Sequence, residues 1–510
     1  MNENIALYKT SVVIHDAFGN DKSAISGSLC IIVFMTDQQR GDTVLPEHIC
    51  KTPNIDRFRT RAMQFSNAYC PSPHCCPSRA TFFSGLYPSE HGVWHNVEVN
   101  NAISRTTFDG VEFFPEHLQK AGYETFFSGK WHVSAFDEPQ DRGFDHNLYQ
   151  IISNYGHMSK GYDLHDEDWS HFYSEPASID GVNEEKHFGR IIRPGYPTYY
   201  QFGTNENPFT DNDTVRCAVE AIHAHDGKKP MFMYVGTLGP HDPYIPPQRF
   251  LDMYADVEIK LPDNFDDAML DRPALYRRTR EQFRLTREEH IESIRRYLAF
   301  CSYEDALFGQ ILDAVEANNM TENTIIFYLS DHGDTMAEHG LWAKGLPCFR
   351  GAYNICALAA GPGIQPGRID REMISLADFA PTIEDLAGIS PKNDFTGRSL
   401  LPFLRSERVI NWRDAMFTQS NGNEMYGIQR AVWTDEWKYV FNGFDYDELY
   451  DLRNDPLEMH NRINAPENAH IVKEMCMRMW SFARAHRDAC TCPYIMVGFA
   501  PYGPGITIKD

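Results

Sequence analysis

The sequence predicts an α/β protein: a large, mostly parallel sheet sandwiched by helices, followed by a smaller α+β module. Three features lead to that class. Short apolar runs alternate with helical patterns through most of the 510 residues, as strands joined by crossover helices do. Polar and ionisable residues gather where those runs end, and sheets of this kind carry their chemistry at the carboxyl ends of the strands. From about Gly427 the texture changes to closely spaced strands and one amphipathic helix. A chain of this length exceeds one small core and divides into two or three domains.

The elements follow in order. Residues 1–28 are an N-terminal extension with neither the basic region nor the apolar stretch of a signal peptide. LCIIVFM at 29–35 is a buried strand, TPNIDRFRTRA a helix and QFSNAY a strand. FPEHLQKAG is a helix ending near Gly122, and YETFFSGKWH follows it. MFMYVGT at 231–237, TIIFYLSDHGD at 324–334 and ICALAAGPG at 355–363 are further strands, the second preceded by a long helix from about Glu288 to Ala317. Together they make a large domain of residues 29–405. In residues 406–490, IQRAVWTDEWKYVFN is two strands around a turn, ELYDLRNDPLEMHN a strand with an ordered loop, and AHIVKEMCMRMWSFARAH a helix. Residues 491–510 form a tail rich in proline and glycine; the sequence leaves open whether it crosses to a second copy in a homo-oligomer or folds back on its own subunit. The segment 136–215 reads as a long functional loop region. With the tail it is expected to wall a pocket, offering Tyr162, Trp169, Tyr173, Tyr199 and Tyr200.

Composition narrows the function. Lys and Arg number 47 against 71 Asp and Glu, a net charge of −24, which argues against general affinity for nucleic acid or anionic membrane. No run of about 18 apolar residues is present to span a bilayer. Twelve cysteines are scattered without a framework, and with no export signal the expectation is reduced thiols and a cytoplasmic location. The CTC of Cys490 and Cys492 offers too few ligands for a structural metal site.

The chemistry-bearing residues lie at four strand ends: Asp37 and Gln38, Lys130 and His132, His241 and Asp242, and Asp331 and His332 with Lys344 shortly after. A carboxylate after a strand is usually a turn or cap, but four such ends converging on one sheet edge make a site. The oxygen-rich set Asp37, Gln38 and Asp331, with the His332 imidazole, suits a hard or borderline divalent cation such as Ca²⁺, Mg²⁺ or Mn²⁺. The lysines and histidines around it suit a tetrahedral oxyanion. In PSPHCCPSRATFFSG, Pro77 fits the first turn of a helix. Cys75 and Cys76 then lie at a positive helix N-terminus, where anions bind and thiol pKa values fall. The residues alone describe a nucleophile beside a metal and an anion site.

CCPSRATFFSG resembles the sulfatase signature, C-x-P-S-R with a Thr/Ser-Gly a few residues on. FMTDQQRGD is similar to that family's first metal strand, GKWH to its Lys-x-His element and GPHDPY to its substrate histidine. SDHGDTMAEHGLWAKG resembles its second metal strand with the catalytic lysine, and ELYDLRNDPLEMHN the closing motif of its C-terminal domain. The likeness runs from about residue 29 to 480. It implies a formylglycine-dependent sulfatase with an alkaline-phosphatase-like fold, which cleaves a small-molecule or saccharide sulfate monoester to an alcohol and inorganic sulfate. By this resemblance a separate maturase oxidises Cys75 to Cα-formylglycine. One oxygen of its hydrate, a geminal diol on the metal, attacks sulfur; the other then loses a proton, so that the aldehyde re-forms and sulfate leaves. Arg79 would hold the diol and metal site, and Lys130 and Lys344 would neutralise the transferring group. His241 or His132 would protonate the leaving oxygen or take the diol proton. One divalent metal, Ca²⁺ foremost with Mn²⁺ or Mg²⁺ as alternatives, would be held by Asp37, Gln38, residue 75, Asp331 and His332. Cys76, at the variable position, would serve packing.

Two positions depart from the common pattern: Gln38 stands where many sulfatases carry a second aspartate, and His332 where many carry asparagine. Branches that include choline sulfatases and phosphonate monoester or phosphodiester hydrolases share the Asp-His pair, so such a hydrolase is the alternative. Asn96, in HGVWHN, matches a position that touches the substrate group in those branches and equally suits a loop cap. The GKWH pair points back to sulfatases. A non-catalytic binding protein with an unmodified Cys75 sits poorly with so complete a set of reactive groups. A thiol-dependent enzyme lacks its Cys-His-Asn pattern.

Overall fold

Strand β1 (Cys30–Thr36) is the central element of an eight-stranded sheet and is buried along its whole length. The structure, a computed structural model, describes residues 29–99, 102–151, 181–183, 187–193, 196–389, 395–423, 425–492 and 496–508. The other strands of this sheet are β2 (Ala62–Phe65), β3 (Glu124–Gly129), β4 (His146–Gln150), β5 (Met231–Gly236), β6 (Thr324–Ser330), β7 (Ala357–Ala360) and β8 (Arg368–Asp370). Their order across the sheet is β8-β2-β7-β6-β1-β5-β3-β4. Every neighbouring pair is parallel except the two made by β7, which runs against β6 and β2. The expected mostly parallel sheet is therefore present, with one reversed strand.

Both faces are covered, which is why the central strands read as unbroken apolar runs. Ile31, Val33 and Met35 face a core that holds helices α1 (Cys75–Ser84), α2 (Phe114–Lys120) and α5 (Phe379–Leu386). Ile32 and Phe34 face the opposite core, built on α3 (Asp211–Ala224) and α4 (Arg287–Ala317). The long helix α4 starts at a capping box: Thr286 accepts the Glu289 N–H at 3.2 Å and the Glu289 carboxylate accepts the Thr286 N–H at 2.6 Å.

A second, antiparallel sheet follows in simple order: β9 (Met416–Gly422), β10 (Tyr426–Trp433), β11 (Trp437–Asn442) and β12 (Glu448–Asp451). Helix α6 (Ala469–Ala485) covers it with Val472, Met475, Cys476, Met479 and Trp480. Met416, Trp433 and Val440 pack into the core of the large sheet and join the two sheets. The described part of the tail folds back on α6, where Trp480 Nε1 donates to the Tyr502 carbonyl at 2.7 Å and Val497 and Ala500 are buried. It takes no part in the cleft described below, contrary to the expected pocket wall.

Within the segment 136–215, the described residues include β4, the strand pair Arg190–Arg193 and Tyr196–Tyr200, and the start of α3. Tyr162, Trp169 and Tyr173 lie outside the described residues. Among the described residues no helix is long and apolar enough to cross a membrane, and the twelve cysteines are unpaired.

Candidate active site

Register decides where the site forms. Thr36 pairs with Ser330, Met35 with Gly236, and Gly129 with Gly236, so β1, β3, β5 and β6 end at one level. The next residues are Asp37, Lys130, Thr237 and Asp331, all at the carboxyl edge. Backbone bonds lock the turns together: Asp37 N–H to Gly239 O at 3.1 Å, Asp331 N–H to Thr36 O at 3.1 Å and Lys130 N–H to Gly236 O at 2.8 Å. Gly129 has φ 109°, and a Cβ there would stand 1.9 Å from Gly236 O; only glycine lets β3 approach closely enough to deliver Lys130. Gln38 and His132 have φ of 65° and 51°, strained values for residues with side chains that recur at functional sites.

Helix α1 brings the fifth component. Cys75 and Cys76 are its first two residues, and a glycine in the left-handed region, Gly85, closes it. Cys75 Sγ lies 3.3 Å from His332 Nε2 and 3.7 Å from Asp37 Oδ1. Arg79, one turn on and fully buried, holds both carboxylates, with Nε 2.9 Å from Asp331 Oδ2 and Nη2 3.1 Å from Asp37 Oδ2. Its Nη1 donates to the Lys130 carbonyl and the Tyr234 hydroxyl. Lys130 Nζ adds a second contact to Asp37 Oδ2 at 2.6 Å. Each aspartate thus gives Oδ2 to cations and keeps Oδ1 on the side of Cys75 and His332. His332 Nδ1 donates to the Gly333 carbonyl at 2.9 Å, which leaves Nε2 as the nitrogen that could ligate a metal.

The four donors of Asp37, Cys75, Asp331 and His332 all lie within 4.8 Å of one another and are buried. Two carboxylates and an unprotonated imidazole nitrogen fit a hard or borderline divalent ion. Burial alone would raise the Asp37 carboxyl, but Lys130, His241, Arg79 and Lys344 hold it well below the ordinary carboxylate range. Burial brings the His332 imidazole down to about 4 against the pull of Asp331, so it is neutral, as a metal ligand must be.

Gln38 departs from the expectation of a further ligand. Its Oε1 accepts from Lys344 Nζ at 2.6 Å, and its Nε2 donates to Asp334 Oδ2 at 2.7 Å and Asp242 Oδ1 at 3.3 Å. The amide bridges the lysine to two carboxylates, while the Gln38 backbone N–H donates to Asp331 Oδ1 at 3.1 Å.

On the other side, His132 Nε2 lies 2.7 Å from Glu98 Oε2, and His132 also engages Cys75. Burial opposes the charged ring, but Glu98 raises His132 above the ordinary imidazole value. Asn96 Oδ1 accepts the Cys76 N–H at 3.1 Å, so it caps α1 and also lines the cleft above the cluster, as do His241, Lys344 and Asn423. Cys76 is buried as expected; its Sγ accepts the Val97 N–H at 3.3 Å. Tyr199 reaches Asp242, beside His241, at 3.5 Å, while Tyr200 is buried.

The candidate catalytic and metal-site residues Asp37, Cys75, Arg79, Lys130, His132, His241, Asp331, His332 and Lys344 thus lie together with Asn96, and Gln38 joins them as a bridge to Lys344. Sequence reasoning missed Glu98, Asp334, Tyr234 and His74. The last, buried in the cleft wall, has a Nδ1 without a partner among the described residues and is held neutral by burial.

The sulfatase family model matches residues 28–389, and one described as N-sulphoglucosamine sulphohydrolase, C-terminal, matches 337–485. A choline-sulfatase of Rhizobium meliloti (strain 1021) is 29% identical over 458 residues, covering 86% of this chain and 83% of that protein. An N-acetylglucosamine-6-O-sulfatase of Bacteroides thetaiotaomicron is 27% identical over 537 residues, covering 90% of this chain and 87% of that protein. A structure solved in complex with its substrate D-glucosamine-2-N,6-O-disulfate superposes with TM-score 0.69 at 22% identity, covering 91% of this chain and 99% of that one. A phosphonate monoester hydrolase from Silicibacter pomeroyi does so with TM-score 0.72 at 19% identity, covering 91% and 97%. At such identities the structural likeness shows a common fold.

Proposed function

This chain belongs to the sulfatase family and hydrolyses sulfate esters, and we propose that it does so with residue 75 as nucleophile, after a separate maturase has converted Cys75 to formylglycine. The observation that carries this reading is the burial of the Cys75 side chain against Asp37 and His332 at the start of α1. Asp37, Asp331, His332 and the residue-75 side chain would hold one divalent ion, with Ca²⁺ as the proposed metal. When bound, the ion supplies Lewis-acid stabilisation of negative charge on the transferring group.

The protein's own groups do the rest. Arg79 grips Oδ2 of both aspartates and leaves each Oδ1 turned toward residue 75 and His332. Lys130 and Lys344 place positive charge beside the cluster, where charge on a sulfate ester builds up during transfer. His241, in the cleft wall, is placed to give a proton to the leaving oxygen, and His132, against residue 75, to take one there.

For the organic part of the substrate we propose a sulfated sugar. Asn96, Gln282 and Asn423 line the cleft together with Trp342 and Phe283, a pairing of amides and rings that suits hydroxyl groups on a ring face. The likeness to an N-acetylglucosamine-6-O-sulfatase and to a structure bound to its substrate glucosamine disulfate supports the same class. The test is a steady-state comparison, on matured enzyme, of glucosamine-6-sulfate, choline sulfate, an aryl sulfate, a phosphate diester and a phosphonate monoester. The sugar sulfate is expected to have the highest kcat/KM. A preference for choline sulfate would overturn the sugar assignment, and a preference for a phosphorus ester would place the chain with the phosphonate hydrolases.

A further inference from the structure

Glu98 stands on a short turn between α1 and α2, 34 positions from the histidine it touches. Three contacts tie that turn to the start of α1. The Cys76 N–H donates to Asn96 Oδ1 at 3.1 Å, the Val97 N–H donates to Cys76 Sγ at 3.3 Å, and the Cys76 thiol points to Glu98 Oε2 at 3.9 Å. Arg105 Nη1 holds the Val97 carbonyl from the far side at 2.7 Å, and Val97 is fully buried. The carboxylate therefore rests on a fixed base, while its side chain keeps 31% of its surface exposed beside a His132 ring at 6%. His132 itself is held in a left-handed backbone conformation, φ 51°. A ring on so constrained a backbone is aimed by whatever grips its nitrogen.

We propose that Glu98 is a positioning residue for proton transfer at residue 75, acting through His132. The carboxylate keeps a proton on Nε2 and fixes the ring plane, which leaves Nδ1 as the ring nitrogen for the residue-75 side chain. Carboxylate partners of this kind set the tautomer and orientation of a reacting imidazole in other hydrolases. The cysteine doublet then divides its work: Cys75 carries the reacting side chain, and Cys76, through Val97, anchors the turn that carries Glu98. This inference rests on the sulfate-ester reading above.

Two measurements test it. The first needs no converted enzyme: ¹⁵N–¹H spectra of histidine-labelled protein, with His132 assigned by its loss in His132→Gln. A downfield, slowly exchanging Nε2–H signal is expected in the parent and in Glu98→Gln, and its loss in Glu98→Ala; persistence in Glu98→Ala overturns the proposal. The second is stopped-flow release of nitrophenol from nitrophenyl sulfate by matured enzyme. Glu98→Ala is expected to lower kcat by about 10–100-fold with KM within about twofold, and to show a burst approaching one product per site, because the step after leaving-group departure slows. Glu98→Gln, which keeps an acceptor for Nε2–H, is expected to recover part of the rate. An unchanged kcat, or a loss without a burst, overturns the proposal while the parent still turns over sulfate. A parent enzyme with no sulfate turnover removes the reading beneath it as well.

Discussion

Lys344 Nζ lies 2.6 Å from Gln38 Oε1, although 306 positions separate the two residues. The glutamine is in turn gripped by Asp334 at 2.7 Å, and Asp334 is itself fixed by the Tyr244 hydroxyl at 2.6 Å and by the Met336 and Ala343 N–H groups. A flexible lysine stem gains a set position from this relay, at lower entropy cost when substrate arrives. The Gln38 side chain thus tethers Lys344 to Asp334 and Asp242.

Gln38→Ala should therefore loosen Lys344 rather than empty the metal site. The expected outcome is a kcat loss of about tenfold, the scale of one weakened transition-state contact, with metal affinity by titration calorimetry unchanged within about twofold. A large drop in affinity would return Gln38 to the ligand set.

Lys130 makes a buried contact with Asp37, and in the proposed reaction its charge neutralises the transferring group. Lys130→Ala should lower sulfate-ester turnover by about 10²–10³, the loss typical of one removed oxyanion contact, and lower any phosphodiester turnover less. Parallel rate measurements on the two ester classes check this. Equal losses would mean that Lys130 serves the metal site and not the leaving-group side.

Beneath α1, His91 is fully buried: its Nδ1 accepts the Val93 N–H at 3.1 Å and its Nε2 lies 3.0 Å from Thr81 Oγ1. Burial pushes the ring down to about 3, so the folded protein keeps it neutral where the unfolded chain, near 6.5, takes up a proton. The folded value is the depressed one, so its contribution to stability is complete above about pH 6.5 and is lost as pH falls toward 3. Urea unfolding between pH 7 and 5 should show a slope up to about 1.4 kcal/mol per pH unit steeper in the parent than in His91→Gln. Identical slopes would refute a neutral His91.

Much of this was legible in the sequence, and the reasons are physical. The apolar runs of β1, β5 and β6 are unbroken because both faces of those strands are buried, and polar residues directly after them must fall on one edge of a parallel sheet. That places Asp37, Asp331 and His241 without coordinates, and Pro77 places Cys75. The reversed direction of β7 was not legible, because an apolar run reads the same in either direction. Gln38 was read as a further ligand because it stands where the family's second aspartate does and carries an amide oxygen; its contact with Lys344, 306 positions away, could not be read from the sequence. Glu98 carries no signal at all, being one carboxylate in an irregular turn whose meaning comes only from the proximity of His132.

The most direct test of the account is mass spectrometry of the tryptic peptide spanning residues 62 to 79, from active enzyme produced with a formylglycine-generating maturase. The account predicts an aldehyde or its hydrate at position 75 and a free thiol at position 76, with sulfate turnover rising in proportion to the converted fraction and absent from Cys75→Ala. Full turnover from a peptide that still carries a thiol at position 75 would contradict it.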